Sequence, residues 1–239
     1  MINNYIKNSK LLKKNHVYSE EMEHDACGVG AIVSTEGKKS RVIVEYGIEA
    51  LKAVWHRGAV DADGKTGDGA GIHLEIPKDF FIEKIEVTGH DYDNSEICVG
   101  MIFLPRNDYS SQESCKTIVE SELTKNNFSI YGWRQVPVNP KILGQKAFQT
   151  MPEIMQVLFK SNDKNLLDKD LERKIYETRK KIENKAFQLS LNNFYICSIS
   201  SKSIIYKGLY LAEGISDFYL DLKDKRFISR FAIFHQRFS

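Results

Sequence analysis

The chain has 239 residues, with 34 Lys and Arg against 32 Asp and Glu and a formal net charge of +2. That balance argues against a nucleic-acid binder or a protein drawn to an acidic membrane surface. Hydrophobic residues at 42% and charged residues at 28% match a soluble globular chain and exclude collagen-like and disordered classes. One domain is expected. No window holds the roughly 18 uncharged apolar residues of a membrane span. The polar segment 1–26 also lacks the apolar stretch of a secretory signal, so a cytoplasmic protein is expected. Cys27, Cys98, Cys115 and Cys197 are far apart and form no C-x-x-C pair, which predicts neither a metal site nor a disulfide framework. Three of them read as buried thiols. Cys27 has a different setting.

Residues 1–26 carry lysines in their first half and acids in their second, and read as a leader. From Cys27 the composition changes to CGVGAIVS, a strand that begins at the cysteine and ends in the turn Thr35 to Gly37. Ser40 can cap a helix whose apolar residues Val44, Ile48, Leu51 and Trp55 share one face, stopping near His56-Arg57-Gly58. The Gly/Asp-rich loop from Asp61 to Gly71 leads into a strand over 72–76. Glu96 to Leu104 reads as a buried strand ended by Pro105. Cys115, Ile118, Val119 and Leu123 mark a helix, and FSIYGWRQVPV and EIMQVLF are strand-like. Leu167, Leu171, Ile175 and Ile182 define a longer helix with a solvated charged face. The runs at 194–200 and 203–208, separated by Ser201 and Lys202, read as a hairpin. A short helical stretch follows through Leu211 to Tyr219. The last run, FISRFAIFHQRFS, is strand-like up to Ser239, so the chain is expected to be a fragment of a longer one. Strands mixed with helices outside a strict βαβ rhythm predict an α+β fold.

Cys27 is the leading candidate for chemistry. A cysteine nucleophile needs a base to form thiolate. If the Ala26–Cys27 bond were cleaved, the new α-amino group, with a reference pKa of about 7.7–8.0, could take a proton from a thiol near 8.5. The alternative is one more buried thiol at a strand start. In WHRGA, Arg57 offers a planar fork suited to a carboxylate and Gly58 a sharp exit; a helix-end arginine can equally just complement the helix dipole. The glycines at 67, 69 and 71 do not have dinucleotide-loop spacing, and TGDGAG reads as turn chemistry feeding a strand. Arg237 ends a strand, where a side chain can project over a site or remain a surface charge.

The joint occurrence of EHDACGVGAIV, ALKAVWHRGAVDADGKTGDGAGIHLEIP, GMIFLPR, IYGWRQVPV, YICSISSKSIIYKG and RFAIFHQRFS, in that order, resembles the amino-terminal part of the glutamate synthase large chains, in their bacterial NADPH-dependent form. The resemblance runs from Glu23 to Ser239. It implies a class II glutamine amidotransferase domain over 27–239, incomplete at its C-terminus, preceded by a propeptide, 1–26. The implied fold is an α+β, four-layer αββα N-terminal-nucleophile hydrolase sandwich.

Carried over residue by residue, the resemblance makes Cys27 the nucleophile and puts Arg57 and Gly58 beside it. Arg237 then binds the substrate's α-carboxylate. An Asn-Gly pair for the oxyanion and a later acid for the substrate amine are expected beyond Ser239. The implied reaction is hydrolysis of L-glutamine to glutamate and ammonia, which the full enzyme adds to 2-oxoglutarate. No cofactor is expected within this chain. FMN and an iron–sulfur cluster are implied for the full-length enzyme, with FAD and NADPH on a small partner subunit. Another class II amidotransferase, or an inactive glutamine-binding fragment, are the rival readings. In the former the cysteine commonly follows Met1 directly, and neither the GDGAG loop nor the YICSIS run is expected.

Overall fold

The computed structural model of the chain describes residues 2–15, 27–166 and 168–237. The segment read as a leader contains helix α1, Ile2–Asn15. Cys27 leads directly into strand β1, Gly28–Val33. Helix α2, Arg41–Ala53, begins where predicted, because extended Ser40 accepts a hydrogen bond from the Ile43 N–H at 3.4 Å and satisfies one of the first-turn donors. It buries Val44, Ile48 and Leu51, but Trp55 is 66% exposed. The helix stops at Ala53 and the chain tightens into a 3₁₀ turn over Trp55–Arg57. That change of pitch takes Trp55 off the buried face on which the 3.6-residue period put it.

The remaining elements are β2 (Ala70–Glu75), α3 (Lys78–Val87), β3 (Cys98–Leu104), α4 (Tyr109–Lys125), β4 (Phe128–Gln135), α5 (Gln145–Thr150), β5 (Glu153–Ser161), α6 (Asp168–Gln188), β6 (Tyr195–Ser200), β7 (Ser203–Gly208), α7 (Ile215–Phe218) and β8 (Phe231–Gln236). Helix α3 has no counterpart in the sequence reading, since Phe80 and Phe81 are adjacent and blur the stripe that they and Ile85 bury. Leu167 lies outside the described residues.

The strands form two antiparallel sheets, ordered β1-β8-β2-β7 and β4-β5-β3-β6. The α+β expectation holds, as two sheets with helices packed on them. The predicted hairpin of 194–200 with 203–208 does not form. β6 pairs with β3 in one sheet and β7 with β2 in the other, so the Ser201-Lys202 link is a corner between sheets. Glu172 of α6 stabilises this corner by accepting from the Ser201 N–H and hydroxyl, both at 2.7 Å, and from the Ser200 hydroxyl at 3.0 Å. Two residues between strand-like runs are compatible with a tight turn, but here local side-chain bonds and both sheets' edges win.

One core cluster joins α2, α3, the covered face of the first sheet and the inner face of the second, from Val44 and Ile72 to Met101 and Leu158. The other lies between the second sheet's outer face and helices α4 and α6, around Ile102, Val119, Phe159 and Ile175. On the first sheet's opposite face Val29 and Val33 are exposed. A buried polar network ties the second sheet to the turn after α7. Arg134 donates to both oxygens of Asp221 at 2.8 and 2.9 Å and to Gln156 Oε1 at 2.6 Å, and the Tyr206 hydroxyl donates to Asp221 at 3.1 Å.

Candidate active site

Antiparallel pairing decides where the candidate residues meet. Gln236 of β8 lies opposite both Gly28 of β1 and Ala70 of β2. The start of β1, the end of β8 and the start of β2 therefore share one end of the first sheet. Cys27 immediately precedes β1, Arg237 immediately follows β8, and the Asp/Gly loop runs into β2. Residues separated by some 200 positions in sequence are neighbours because adjacent antiparallel strands lie only about 4.8 Å apart.

Cys27 is exposed, whereas Cys98, Cys115 and Cys197 are buried, as the sequence predicts. Burial pushes the Cys98 thiol far up, the Cys115 thiol up to about 11 and the Cys197 thiol up to about 12. These three are held as neutral, inert thiols at neutral pH. Cys27 alone of the four can be reached by a solute.

The 3₁₀ turn after α2 folds back over this sheet end. A Cβ added at Gly28 would lie 3.3 Å from Cβ and Cγ of Arg57, so the arginine stem crosses the first residue of β1. A Cβ at Gly58 would overlap the Gln236 carboxamide, so only glycine admits that contact. Gln236 is 1% exposed, and its Oε1 is a buried acceptor without a hydrogen-bond partner among the described residues. Thus Cys27, Arg57, Gly58 and Arg237 all come to the same sheet end.

The Asp61–Gly71 loop is more than turn chemistry. Val60 bridges Gly67, and Asp63 accepts from the Thr66 hydroxyl and N–H and the Lys65 N–H, bonds that hold its carboxyl well below the usual carboxylate range. The loop then presents Asp68. Its Oδ2 accepts from the Ala59 N–H at 3.0 Å and stands 3.5 Å from Arg237 Nε. The Arg237 N–H donates to the Gly69 carbonyl at 2.8 Å. Arg237 itself has φ of 80°, a left-handed backbone that is costly for a residue with a side chain and persists only where neighbours hold it. Strand β8 ends at Gln236, one residue before this bend, and the last two residues of the strand expected to reach Ser239 lie outside the described residues.

Asp68 and Gln236 are the site residues that sequence reasoning missed. Asp68 had a signal in its position between two glycines, where a carboxylate has no local side chain to serve. Gln236 had one too, because it stands in phase with apolar Ala232 and Phe234. Chemically, the sheet end combines an accessible thiol, two guanidinium groups suited to anions, and a buried amide acceptor. Among the described residues no group of three His, Cys, Asp or Glu side chains could hold a metal ion. No helix among them is long and apolar enough to cross a membrane.

Comparison with known proteins agrees with this arrangement. The profile of the family described as glutamine amidotransferases class-II matches residues 27–239. The chain is 52% identical over 232 residues to the glutamate synthase [NADPH] large chain of Azospirillum brasilense, covering 97% of this chain and 15% of that protein. It is 40% identical over 219 residues to ferredoxin-dependent glutamate synthase 1, chloroplastic/mitochondrial, of Arabidopsis thaliana, covering 91% of this chain and 13% of that protein. The ferredoxin-dependent glutamate synthase 2 of a Synechocystis strain is 37% identical over 218 residues, covering 91% and 14%. This chain spans only about a seventh of the length of these relatives. With an exposed cysteine at the first matched residue and a family match that runs on to residue 239, the chain belongs to the class II glutamine amidotransferases, in the branch represented by the glutamate synthases.

Proposed function

We propose that this chain hydrolyses the side-chain amide of L-glutamine, with Cys27 as nucleophile after removal of residues 1–26. The observation that carries the reading is the convergence of the one exposed thiol with Arg57 and Arg237 at a single sheet end, in a chain whose family match begins at Cys27. The Cys27 thiolate adds to the amide carbon, forming a C–S bond. The C–N bond breaks as the Cys27 α-ammonium returns a proton to the leaving ammonia, and water then releases glutamate from the thioester. Arg237 holds the substrate α-carboxylate, and Arg57 with Gly58 shapes the wall beside the thiol.

In the longer protein the ammonia is added to 2-oxoglutarate. The 52% identity to an NADPH enzyme, against 37–40% to ferredoxin enzymes, supports NADPH as electron source; a small FAD-bearing partner subunit would pass the electrons on. FMN and an iron–sulfur cluster belong to that longer protein. The thiols here do not suit an iron–sulfur cluster: the three buried ones lie far apart in sequence and are packed in the core. A cytoplasmic setting agrees with four free cysteines.

The test is intact-mass analysis and glutaminase assay of the full-length protein. Active material should begin at Cys27, and Cys27→Ser should abolish glutamine hydrolysis while Cys98→Ser, Cys115→Ser and Cys197→Ser retain it. Activity with Met1 to Ala26 still attached, or survival of activity in Cys27→Ser, would overturn the reading.

A further inference from the structure

The Arg57–Ala59 turn and Arg237 come from opposite ends of the sequence, yet one oxygen addresses both. Asp68 Oδ2 accepts the Ala59 N–H at 3.0 Å and lies 3.5 Å from Arg237 Nε. The backbone on either side reinforces the arrangement: the Asp68 N–H donates to the Ala59 carbonyl at 3.2 Å, and the Gly69 carbonyl accepts from the Arg237 N–H at 2.8 Å. Arg237 is bent into the left-handed region at φ 80°, which aims its side chain away from the direction that continuing β8 would give it. A guanidinium has two hydrogen-bonding edges, one including Nε and one made of the two terminal nitrogens. A carboxylate facing Nε biases the plane of the group, and the pair of terminal nitrogens is then the edge through which a substrate carboxylate would be bound by two parallel bonds.

We propose that Asp68 is a positioning residue of the amidotransferase site: it sets the orientation of the Arg237 guanidinium toward the substrate α-carboxylate and locks the Arg57–Ala59 turn in register with it. This rests on the glutaminase reading above. The carboxylate is a third exposed, at 31%, as is Arg237 at 34%, so the pair is oriented without being sealed off. One loop residue thereby links recognition of the amino-acid end of glutamine to the wall beside the thiol.

The experiment compares the full-length protein with its Asp68→Asn and Asp68→Glu variants. Asn keeps an acceptor for the Ala59 N–H but loses the charge facing Arg237. Two probes are used, both read by mass spectrometry at Cys27. Iodoacetamide alkylates the thiol without needing an α-carboxylate, whereas a diazoketone analogue of glutamine needs one. In Asp68→Asn the glutamine KM and the half-saturating concentration of the analogue should each rise about fivefold, the upper end of what loss of a part-exposed ion pair gives. Its kcat and its iodoacetamide rate should stay within about threefold of the parent, a shift under 1 kcal/mol by the same scale. Asp68→Glu, which retains the charge, should recover part of the loss.

Unchanged half-saturation by the analogue would overturn the inference. So would an equal fall in both labelling rates, or unfolding of Asp68→Asn, since each would make Asp68 a structural residue only. If the unsubstituted protein labels at Cys27 but turns over no glutamine, the glutaminase reading fails and the inference falls with it. Normal turnover with an unmoved KM in Asp68→Asn removes the inference alone.

Discussion

Two arginine–carboxylate pairs in this molecule use the same chemistry to opposite ends. Arg134 and Asp221 meet through two bonds of 2.8 and 2.9 Å with side chains 12% and 3% exposed, and Gln156 and Tyr206 occupy further positions around them. Burial works against the Arg134 charge, yet the Asp221 bonds more than offset it and hold the guanidinium protonated. Arg237 and Asp68 face each other across 3.5 Å with both side chains about a third exposed. The first pair is complete and serves the fold. The second is oriented but accessible, as the proposed role of Arg237 in taking up and releasing a small anion requires.

Breaking the closed pair should give the largest effect on folding. Asp221→Asn leaves a buried guanidinium without its counter-charge and should cost about 3–5 kcal/mol in denaturant unfolding. Replacing both partners, as Arg134→Met with Asp221→Leu, should recover most of that loss, because the desolvation penalty goes with the charges. A single variant as stable as the parent would show that this network is not what ties the second sheet to the turn after α7.

The open pair should respond the other way round. Arg237→Lys should change unfolding by no more than about 0.5 kcal/mol. It should nonetheless weaken glutamine use by about 2–5 kcal/mol, since a lysine cannot supply a planar fork to a desolvated carboxylate. Ammonia-dependent glutamate formation in the full-length protein should survive. Equal kcat/KM for glutamine in parent and variant would remove Arg237 from the site.

Glu75 with Arg230 lies between these extremes. Burial would raise the Glu75 carboxyl, but bonds from the Arg230 side chain and N–H, with Lys39 nearby, leave it lowered. A carboxyl lowered in the folded state binds fewer protons there than when unfolded. Its stabilisation is therefore present at neutral pH and is lost as pH falls from the unfolded carboxylate value near 4 through the folded one. The stability gap between the parent and Glu75→Gln should accordingly narrow on acidification below about pH 4. A gap independent of pH would show that Glu75 acts by shape alone. Ser40→Ala should be the smallest effect, about 1 kcal/mol from loss of the α2 cap, with glutamine KM unchanged. A KM shift there would mean that the α2 entry, and not only its 3₁₀ exit, shapes the site.

The elements whose apolar residues repeat cleanly were legible. The Ser40 cap and the Val44-Ile48-Leu51 stripe of α2 are both local features, and so are the continuous apolar runs of β3 and β5. Helix α3 was missed because adjacent Phe80 and Phe81 weaken its periodicity. The hairpin expected at Ser201-Lys202 was wrong because nothing in those residues tells that Glu172, some 30 positions earlier, will bind the corner. At the site, Cys27, Arg57, Gly58 and Arg237 could be named from their motifs. Asp68 carried only the weak signal of an acid between two glycines, as its value lies in touching Ala59 and Arg237 together.

By itself, then, the sequence determined the family, the α+β class and which cysteines are buried and which exposed, because these depend on composition, local periodicity and unbroken motifs. Only the tertiary structure decided that β6 and β7 part into different sheets, that Gln236 lies under Gly58, and that Asp68 stands between the turn after α2 and Arg237. The physical reason is the range of the interactions. Capping and amphipathic periodicity act over a few residues and leave a trace in the string. Strand pairing and the choice of ion-pair partner act through space between residues far apart in the chain, and a sequence records only one side of such a contact at a time.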